Sequence, residues 1–294
     1  MFSIIIPSFN REVEIASLLD SLSEQTVCNF EVIIVDDCSF NPICINKNYS
    51  FPVRIIRNLQ NKGVAESRNI GAKNAKNEWL IFLDDDDRFL PEKCEVLTRC
   101  ITNNMDINFI YHPAECIMVN EGFSYFTQPY KDVNDLTLDK LLLANKIGGM
   151  PMIAIKKILF EEIGGLSNKL LALEDYEFIL KLILNKDFNP IYISHPLTKC
   201  SFYTKRSSVS TNIDNTKNAI EFIRKNYVNT SIQKHNFEIN TQYILAYIAM
   251  MNLSRKAAKY YFNIFKINKK IKPIIIALIF LISPKLAINL KRFM

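Results

Sequence analysis

Four carboxylates in a row, Asp84, Asp85, Asp86 and Asp87, stand directly after the wholly apolar run 79–83. Such a cluster repels itself, and buried carboxylates survive ionised only beside a cation or a metal. Oxygen donors of this kind suit a hard divalent ion, Mg2+ or Mn2+, that also holds substrate phosphates. A solvated acidic loop is the competing reading of any charge run. The setting favours a site, because an apolar strand leads into the acids and Phe89-Leu90-Pro91-Glu92 opens a helix after them. In open α/β sheets, ligands collect at the carboxyl ends of strands. An EF-hand is excluded, since Phe89 stands where the Ca2+ loop needs glycine.

Other groups could join this chemistry. The apolar run 30–35 also ends in acids, Asp36 and Asp37, followed by Cys38 and Ser39. A carboxylate at a strand end can accept from ribose hydroxyls or from a ring N–H. Glu174 and Asp175 begin a helix whose apolar face is Phe178, Ile179, Leu182 and Ile183. Acids in a first helical turn ordinarily just complement the helix dipole. Arg68, on the helix opened by Asn61-Lys62-Gly63, reads in isolation as a surface charge of the i,i+4 kind. His112, His195 and His235 have no second His or Cys at zinc spacing, so core or surface roles are expected of them. The seven cysteines form no C-x-x-C pair, and their odd number points to reduced thiols rather than a disulfide framework.

The elements that must hold these residues alternate. Residues 2–6 read as a buried strand broken by Pro7, followed by a polar loop and a helix over 12–23. Residues 30–35, 53–57 and 79–83 read as further strands. This alternation predicts an α/β fold with a doubly wound, mostly parallel sheet. Farther on, 107–111 and 115–119 look like strands, and the aromatic stretch 123–130 suits core packing or sugar stacking. Helices are expected over 136–144 and 158–164, around the flexible Gly148-Gly149 and the apolar run 152–155. From Asn212 onward the pattern is helical, most clearly over 219–227 and 242–265.

At 294 residues, with 49% hydrophobic and 22% charged residues, the chain suits one large globular domain plus an extension and excludes disorder. The formal net charge of +6 is unevenly placed. No acidic residue follows Glu238, whereas Arg255, Lys256, Lys259, Lys266, Lys269, Lys270, Lys272, Lys285, Lys291 and Arg292 do. A basic tail seeks an anionic partner, either a membrane surface or a nucleic acid. The apolar run 274–282 is short of the roughly 20 residues that a crossing helix needs. Flanked by lysines, it reads as a segment lying in the bilayer interface, with a buried packing helix as the alternative. The N-terminus has neither a basic region nor a long apolar one, so no signal peptide is expected.

The motifs S-I-I-I-P-S-F-N-R-E, V-D-D-C-S, N-K-G-V-A-E-S-R-N-I-G-A and F-L-D-D-D-D-R-F-L-P occur in this order. Their order and spacing resemble those of the family 2 glycosyltransferases, specifically up to about Pro91 and more loosely to about Ser210. The resemblance implies the GT-A nucleotide-sugar-binding fold over residues 1–211, with a helical C-terminal extension over 212–294. It implies an inverting, metal-dependent transferase that moves a sugar from a nucleotide sugar, a UDP-sugar first of all. The acceptor would be a hydroxyl of a glycan or polyprenyl-linked substrate in surface-polysaccharide synthesis, of the O-antigen or capsule kind.

By the same resemblance, Pro7, Ser8 and Asn10 would line the mouth of the nucleotide pocket. Asp36, with Asp37 beside it, would accept from the uracil or ribose, and Arg68 would lie near the nucleotide or diphosphate. Asp84 and Asp86 match the D-x-D motif, with Asp86 as the direct ligand of Mn2+ or Mg2+. Asp85 is a departure, because the family more often has a small residue there, and it leaves open which carboxylates point inward. Asp175 matches the catalytic base that follows a Gly-Gly turn, here Gly164-Gly165-Leu166, and Glu174 would help shape the acceptor site. Lys205 and Arg206, in F-Y-T-K-R-S-S-V-S, would neutralise the leaving diphosphate, with a solvated basic loop as the alternative. The expected location is cytoplasmic, peripheral at the inner face of the cell membrane on an anionic surface, with no nucleic acid as partner. Two other classes stay open. A sugar-phosphate nucleotidyltransferase would want a Gly-rich loop after the first strand, which Pro7-Ser8-Phe9-Asn10 lacks. A non-catalytic membrane-surface protein would explain the tail but not the placed carboxylates.

Overall fold

The computed structural model describes residues 1–206 and 212–290. Strands β1 (Phe2–Ser8), β2 (Phe30–Asp36), β3 (Val53–Arg57) and β4 (Trp79–Phe82) alternate with helices α1 (Glu12–Leu22) and α2 (Val64–Asn74). After the acids come β5 (Arg88–Phe89), α3 (Lys93–Asn103), β6 (Phe109–Tyr111), β7 (Ala114–Met118), β8 (Phe123–Phe126) and α4 (Leu138–Leu143). Then follow β9 (Ile153–Lys156), α5 (Lys157–Glu162), α6 (Glu174–Ile183), β10 (Pro190–Tyr192) and β11 (Thr198–Phe202). The chain closes with α7 (Ile213–Tyr227), α8 (Ser231–Met251), α9 (Lys256–Asn268), α10 (Ile271–Ile282) and α11 (Pro284–Leu290).

Every residue of β1, β2 and β4 is buried, which is what continuous apolar runs require when both faces of a sheet are covered. The main sheet has seven strands in the order β10-β6-β9-β4-β1-β2-β3. Its neighbours pair in parallel except at β9, which runs antiparallel to β4 and β6. Alternate residues of the same strands feed two cores. Ile5, Ile33, Val35, Leu80 and Phe82 pack with α5 and α6, while Ile4, Ile6, Val32, Ile34 and Ile81 pack with α1 and α3. The chain runs from β1 to β2 and β3 on one side, then returns to place β4 on the other. That reversal opens a crevice at the carboxyl ends of β1 and β4, where ligands bind in such sheets.

A smaller sheet of four strands, β5-β11-β7-β8, is a feature that the sequence reading did not anticipate. It pairs Phe89, just after the acids, with Thr198, so the acidic run and the strand leading to Lys205 are tied together. The C-terminal helices are likewise built in. Ile220, Ile223, Tyr227 and Phe237 join one main core, whereas the end of α8 packs with α9, α10, α11, Met118 and Phe123. The helical pattern expected over 242–265 is broken between α8 and α9. Leu253 takes a left-handed conformation there (φ 52°), and Tyr243 meets Tyr261 edge-on after the chain doubles back. Periodicity does not reveal such a break when both helices keep an apolar face. In α10, Pro273, Ala277 and Phe280 are buried while Ile275, Leu278 and Ile282 are exposed, so one face of the helix packs and the other does not. Among the described residues, no helix is long and apolar enough to cross a membrane. The seven cysteines are all free, and His112 is buried.

Candidate active site

The crevice begins at the end of β1. Pro7 pairs in register with Val35, and Ser8 with Asp36, so the first two strands deliver their last residues together. Asn10 adopts a left-handed turn (φ 56°), which asparagine tolerates better than most residues. Its N–H donates to Ser39 Oγ at 2.8 Å, and its Oδ1 accepts from the Phe40 N–H at 2.8 Å. Asp36 is buried, accepting from the Ser39 N–H at 2.9 Å and from Arg57 Nη1 at 2.7 Å. Asp37 accepts from the Asn58 amide at 2.7 Å and from the N–H groups of Lys62 and Gly63, each at 2.8 Å. Both acids therefore brace the two loops that frame this end, and Asp37 fixes the entry into α2.

Arg68 is the hub. A Cβ at Gly71 would lie 2.4 Å from Ile5 Cγ2, so only glycine lets α2 settle this closely on β1. That packing buries Arg68, whose Nη2 donates to Asp84 at 2.6 Å and whose Nη1 donates to Glu174 at 3.0 Å. Burial opposes its charge, but Asp84 and Glu174 outweigh that and hold the guanidinium protonated more firmly than usual. The acidic run and the Glu-Asp pair, far apart in sequence, thus meet through one side chain.

The four acids point in four directions. Asp84 faces Arg68, Asp85 accepts from Ser8 Oγ at 3.2 Å, Asp86 accepts from Arg206 Nη1 at 3.2 Å, and Asp87 accepts from the Ser201 N–H at 2.9 Å. Burial, then the charge of Asp86, pushes the Asp85 carboxyl up to about 7. Burial and the charge of Asp84 raise both Asp86 and Asp87. Hard oxygen donors with too little neutralising charge are a chemical match for a divalent ion. Among the described residues no three acidic, thiol or imidazole groups form a ready-made cage. A divalent ion here would have to draw much of its coordination shell from phosphate and water oxygens, the usual arrangement for Mg2+.

Asp175 stands at the crevice in the first turn of α6, its Oδ1 accepting from the Tyr176 N–H at 2.7 Å. Burial, then the charge of Glu174, pushes its carboxyl up to about 7, with Arg68 opposing. The turn before it is held from a distance. Asn69 Nδ2 donates to the Leu166 carbonyl at 2.8 Å, and the Leu166 N–H returns a bond to Asn69 Oδ1 at 2.9 Å. A Cβ at Gly165 (φ 60°) would come within 2.6 Å of that oxygen, so glycine is required there on both counts. Leu173, immediately before α6, is itself in a left-handed conformation (φ 57°), a strain typical of functional sites.

Lys205 is anchored by its N–H to the Met251 carbonyl at 2.9 Å, while Arg206 lies over the Tyr203 ring and reaches Asp86. Residues 207–210 of this motif lie outside the described residues, as do Lys291 and Arg292. The sequence points to thirteen residues for the site. The structure gathers Ser8, Arg68, Asp84, Asp85, Asp86, Glu174 and Arg206 by direct bonds, with Asp175 next to Glu174. Pro7, Asn10, Asp36 and Asp37 form the adjoining wall, and Lys205 contributes its backbone.

Several supporting residues carry no sequence signal. Arg57 and Asn58 are ordinary polar residues until the fold supplies their partners. Gly149 stands in the sequence only as a flexible point, yet a Cβ there would lie 3.3 Å from Asp175 Oδ2. Lys93, at a helix start, would ordinarily be solvated. It is fully buried instead, with Nζ donating to the Pro151 carbonyl at 2.7 Å and to Thr198 Oγ1 at 2.9 Å. The Phe89 ring, 3.8 Å away, favours its charge, but burial dominates and pulls the ammonium down to about 7 from 10.5. The unfolded chain therefore keeps this proton up to 10.5 and the folded chain only to about 7, so stability should rise with pH between those values. Lys93→Met is expected to flatten that rise, measured as urea midpoints at about pH 7 and about pH 9. An unchanged slope would mean that Lys93 is charged in the native state.

The family model for glycosyl transferase family 2 matches residues 3–164. An uncharacterized glycosyltransferase of Haemophilus influenzae is 61% identical over 292 residues, covering 99% of each chain. The Escherichia coli protein WfgD, named as a UDP-Glc:alpha-D-GlcNAc-diphosphoundecaprenol beta-1,3-glucosyltransferase, is 27% identical over 81% of this chain and 96% of its own. Among solved structures, residues 1–349 of S. aureus TarS in complex with UDP-GlcNAc superpose with a TM-score of 0.60 at 19% identity, covering 94% of this chain and 79% of that one. The mannosyltransferase PcManGT of Pyrobaculum calidifontis, in complex with GDP-Man and Mn2+, gives 0.56 at 14% identity, covering 99% and 86%. Those two likenesses are likenesses of fold. The family match sets aside the nucleotidyltransferase and the non-catalytic binding protein. With its mostly parallel sheet in the GT-A fold, the chain belongs to glycosyltransferase family 2 and is a glycosyltransferase.

Proposed function

We propose that the enzyme transfers a sugar, with inversion, from a UDP-sugar to a hydroxyl of a lipid-linked glycan, using Mn2+ or Mg2+. The observation that carries this reading is the placement of Asp175 at the crevice, in the first turn of α6, with one carboxylate oxygen held by the Tyr176 N–H and the other beside Gly149. Burial and the charge of Glu174 raise its proton affinity, which suits a general base near neutral pH. Asp175 takes the proton of the acceptor hydroxyl as that oxygen bonds to the anomeric carbon and the carbon's bond to the diphosphate oxygen breaks. The Tyr176 N–H fixes one carboxylate oxygen, and Gly149 leaves room beside the other. Ser8, Asn10, Asp36 and Asp37 frame the nucleotide end. Arg206, with Lys205 beside it, is placed to meet the charge leaving with UDP. Asp86, with Asp84 as second ligand, would hold a divalent ion, which would supply Lewis-acid neutralisation of that charge.

The named activity of WfgD supports both the UDP donor and an acceptor on a diphospholipid. A lipid-linked acceptor, the free thiols and the basic tail support a peripheral enzyme at the inner membrane face, in synthesis of a surface polysaccharide such as O-antigen or capsule. Release of UDP from a panel of UDP-sugars, with Mn2+ and after EDTA, tests the reading. Release should require the metal, and Asp86→Ala should fall to the metal-free level without losing the fold. Full turnover in excess EDTA removes the metal from the mechanism. Absence of UDP release with every UDP-sugar, in the presence of acceptor, removes the donor assignment.

A further inference from the structure

The C-terminal helices carry a surface that catalysis does not use. Ile271, Ile275, Leu278 and Ile282 of α10 are between 51% and 70% exposed. Their spacing of four, three and four residues puts them in one stripe. The opposite face of α10 is closed, with Phe280 stacked on Tyr261 of α9 at 5.6 Å. Beside the stripe, a groove of about 530 Å³ lies between α9 and α10. Arg255, Lys259 and Lys266 line it together with Phe262 and Leu281. Among the described residues, the last ion pair along the chain joins Arg224 to Glu238, and no acid follows Glu238 anywhere in the sequence. Among the described residues, Arg255, Lys259 and Lys266 form no ion pair, so three cations share this half-apolar groove next to an exposed aliphatic stripe.

We propose that the groove between α9 and α10 binds the phosphate-bearing headgroup of an anionic bilayer lipid while the α10 stripe lies among its acyl chains. The groove supplies what such a headgroup needs: ammonium and guanidinium donors for the phosphate oxygens, and Phe262 and Leu281 for the first methylenes. A nucleic acid fits less well, because the stripe is aliphatic and offers no ring for a base to stack on. The surface is also joined to the site. α10 packs on α9 and α9 on α8, whose Met251 carbonyl accepts from Lys205, next to Arg206. Docking through this face would hold the Arg206 segment in a fixed relation to the bilayer. The inference deepens the membrane part of the proposed function and rests on it.

Flotation of the full-length protein with phosphatidylglycerol vesicles and with phosphatidylcholine vesicles tests it. The wild type should float with the anionic vesicles and much less with the neutral ones. Replacing Arg255, Lys259 and Lys266 by glutamine should weaken partition at least about tenfold more than the same change at Lys269, Lys270 and Lys272, which removes equal charge outside the groove. Ile275→Ser with Leu278→Ser should weaken binding to anionic vesicles even at high salt, where the charge contribution is screened. Neither set should alter UDP release with a short soluble acceptor, so the transferase reading is scored separately. Equal losses from the two charge sets would overturn the groove and leave a diffuse basic surface. Failure of the wild type to float would overturn the docking face altogether. Preferential binding to mixed-sequence single-stranded RNA would assign the face to nucleic acid instead.

Discussion

Asp175→Asn is expected to lower kcat by about 10²–10⁴-fold, the usual contribution of a general base, while donor binding stays near the wild-type value. The amide has the carboxylate's shape and can still accept from the Tyr176 N–H, but it cannot take a proton. Two further readouts separate this from a structural effect. Burial and Glu174 push the Asp175 carboxyl from 3.8 up to about 7, so below that pH it already holds the proton that it should accept. Wild-type kcat/KM should therefore climb with pH through about 7, and the residual activity of the variant should lose that limb. Stability runs the other way. Between 3.8 and about 7 the folded chain binds the proton and the unfolded chain does not, so the wild type loses stability as pH rises across that window. The amide is free of this loss, and at pH 8 the variant should be at least as stable as the wild type. Near-normal kcat in Asp175→Asn would place the base elsewhere.

The framework of this site is legible in the sequence because of how parallel strands are built. Strands covered on both faces must be continuous apolar runs, so residues 2–6, 30–35 and 79–83 announce themselves, and the acids after the second and third fall at the carboxyl edge by construction. The smaller sheet is not legible. Its β5 spans only Arg88–Phe89, and β8 is a short aromatic segment with one buried residue, neither of which has a pattern long enough to read. The base is legible only by resemblance, since acids opening a helix are commonplace. What distinguishes Glu174 and Asp175 is the proximity of Arg68, Gly149 and the Leu166 turn, all brought by tertiary packing. Lys93 shows the same limit from the other side. Nothing in Pro91-Glu92-Lys93 marks a lysine that the fold will bury between Pro151 and Thr198.

Arg68→Ala is expected to cost about 3–5 kcal/mol of stability, the range for removing one partner of a buried ion pair. Arg68 and Glu174 are 6% and 10% exposed at their side chains, so neither charge has water to fall back on. Asp84, 33% exposed, is better solvated and should account for less of the loss. The loss should come chiefly from the stranded carboxylate of Glu174 rather than from the missing bonds, because Glu174 would stay buried without the cation that it pairs with. A second substitution distinguishes the two. Arg68→Met combined with Glu174→Gln removes both charges while keeping volume, and should recover most of the stability lost in Arg68→Met alone. Activity should not return, because Asp84 then lacks its tether and the acidic run is free to shift against α6. The pH profile supplies an independent check. Arg68 is the cation that opposes the upward push on Asp175, so removing it should move the acid limb of kcat/KM above about 7. Urea unfolding that gives Arg68→Ala within about 0.5 kcal/mol of the wild type would mean that the guanidinium is not holding the two carboxylates together.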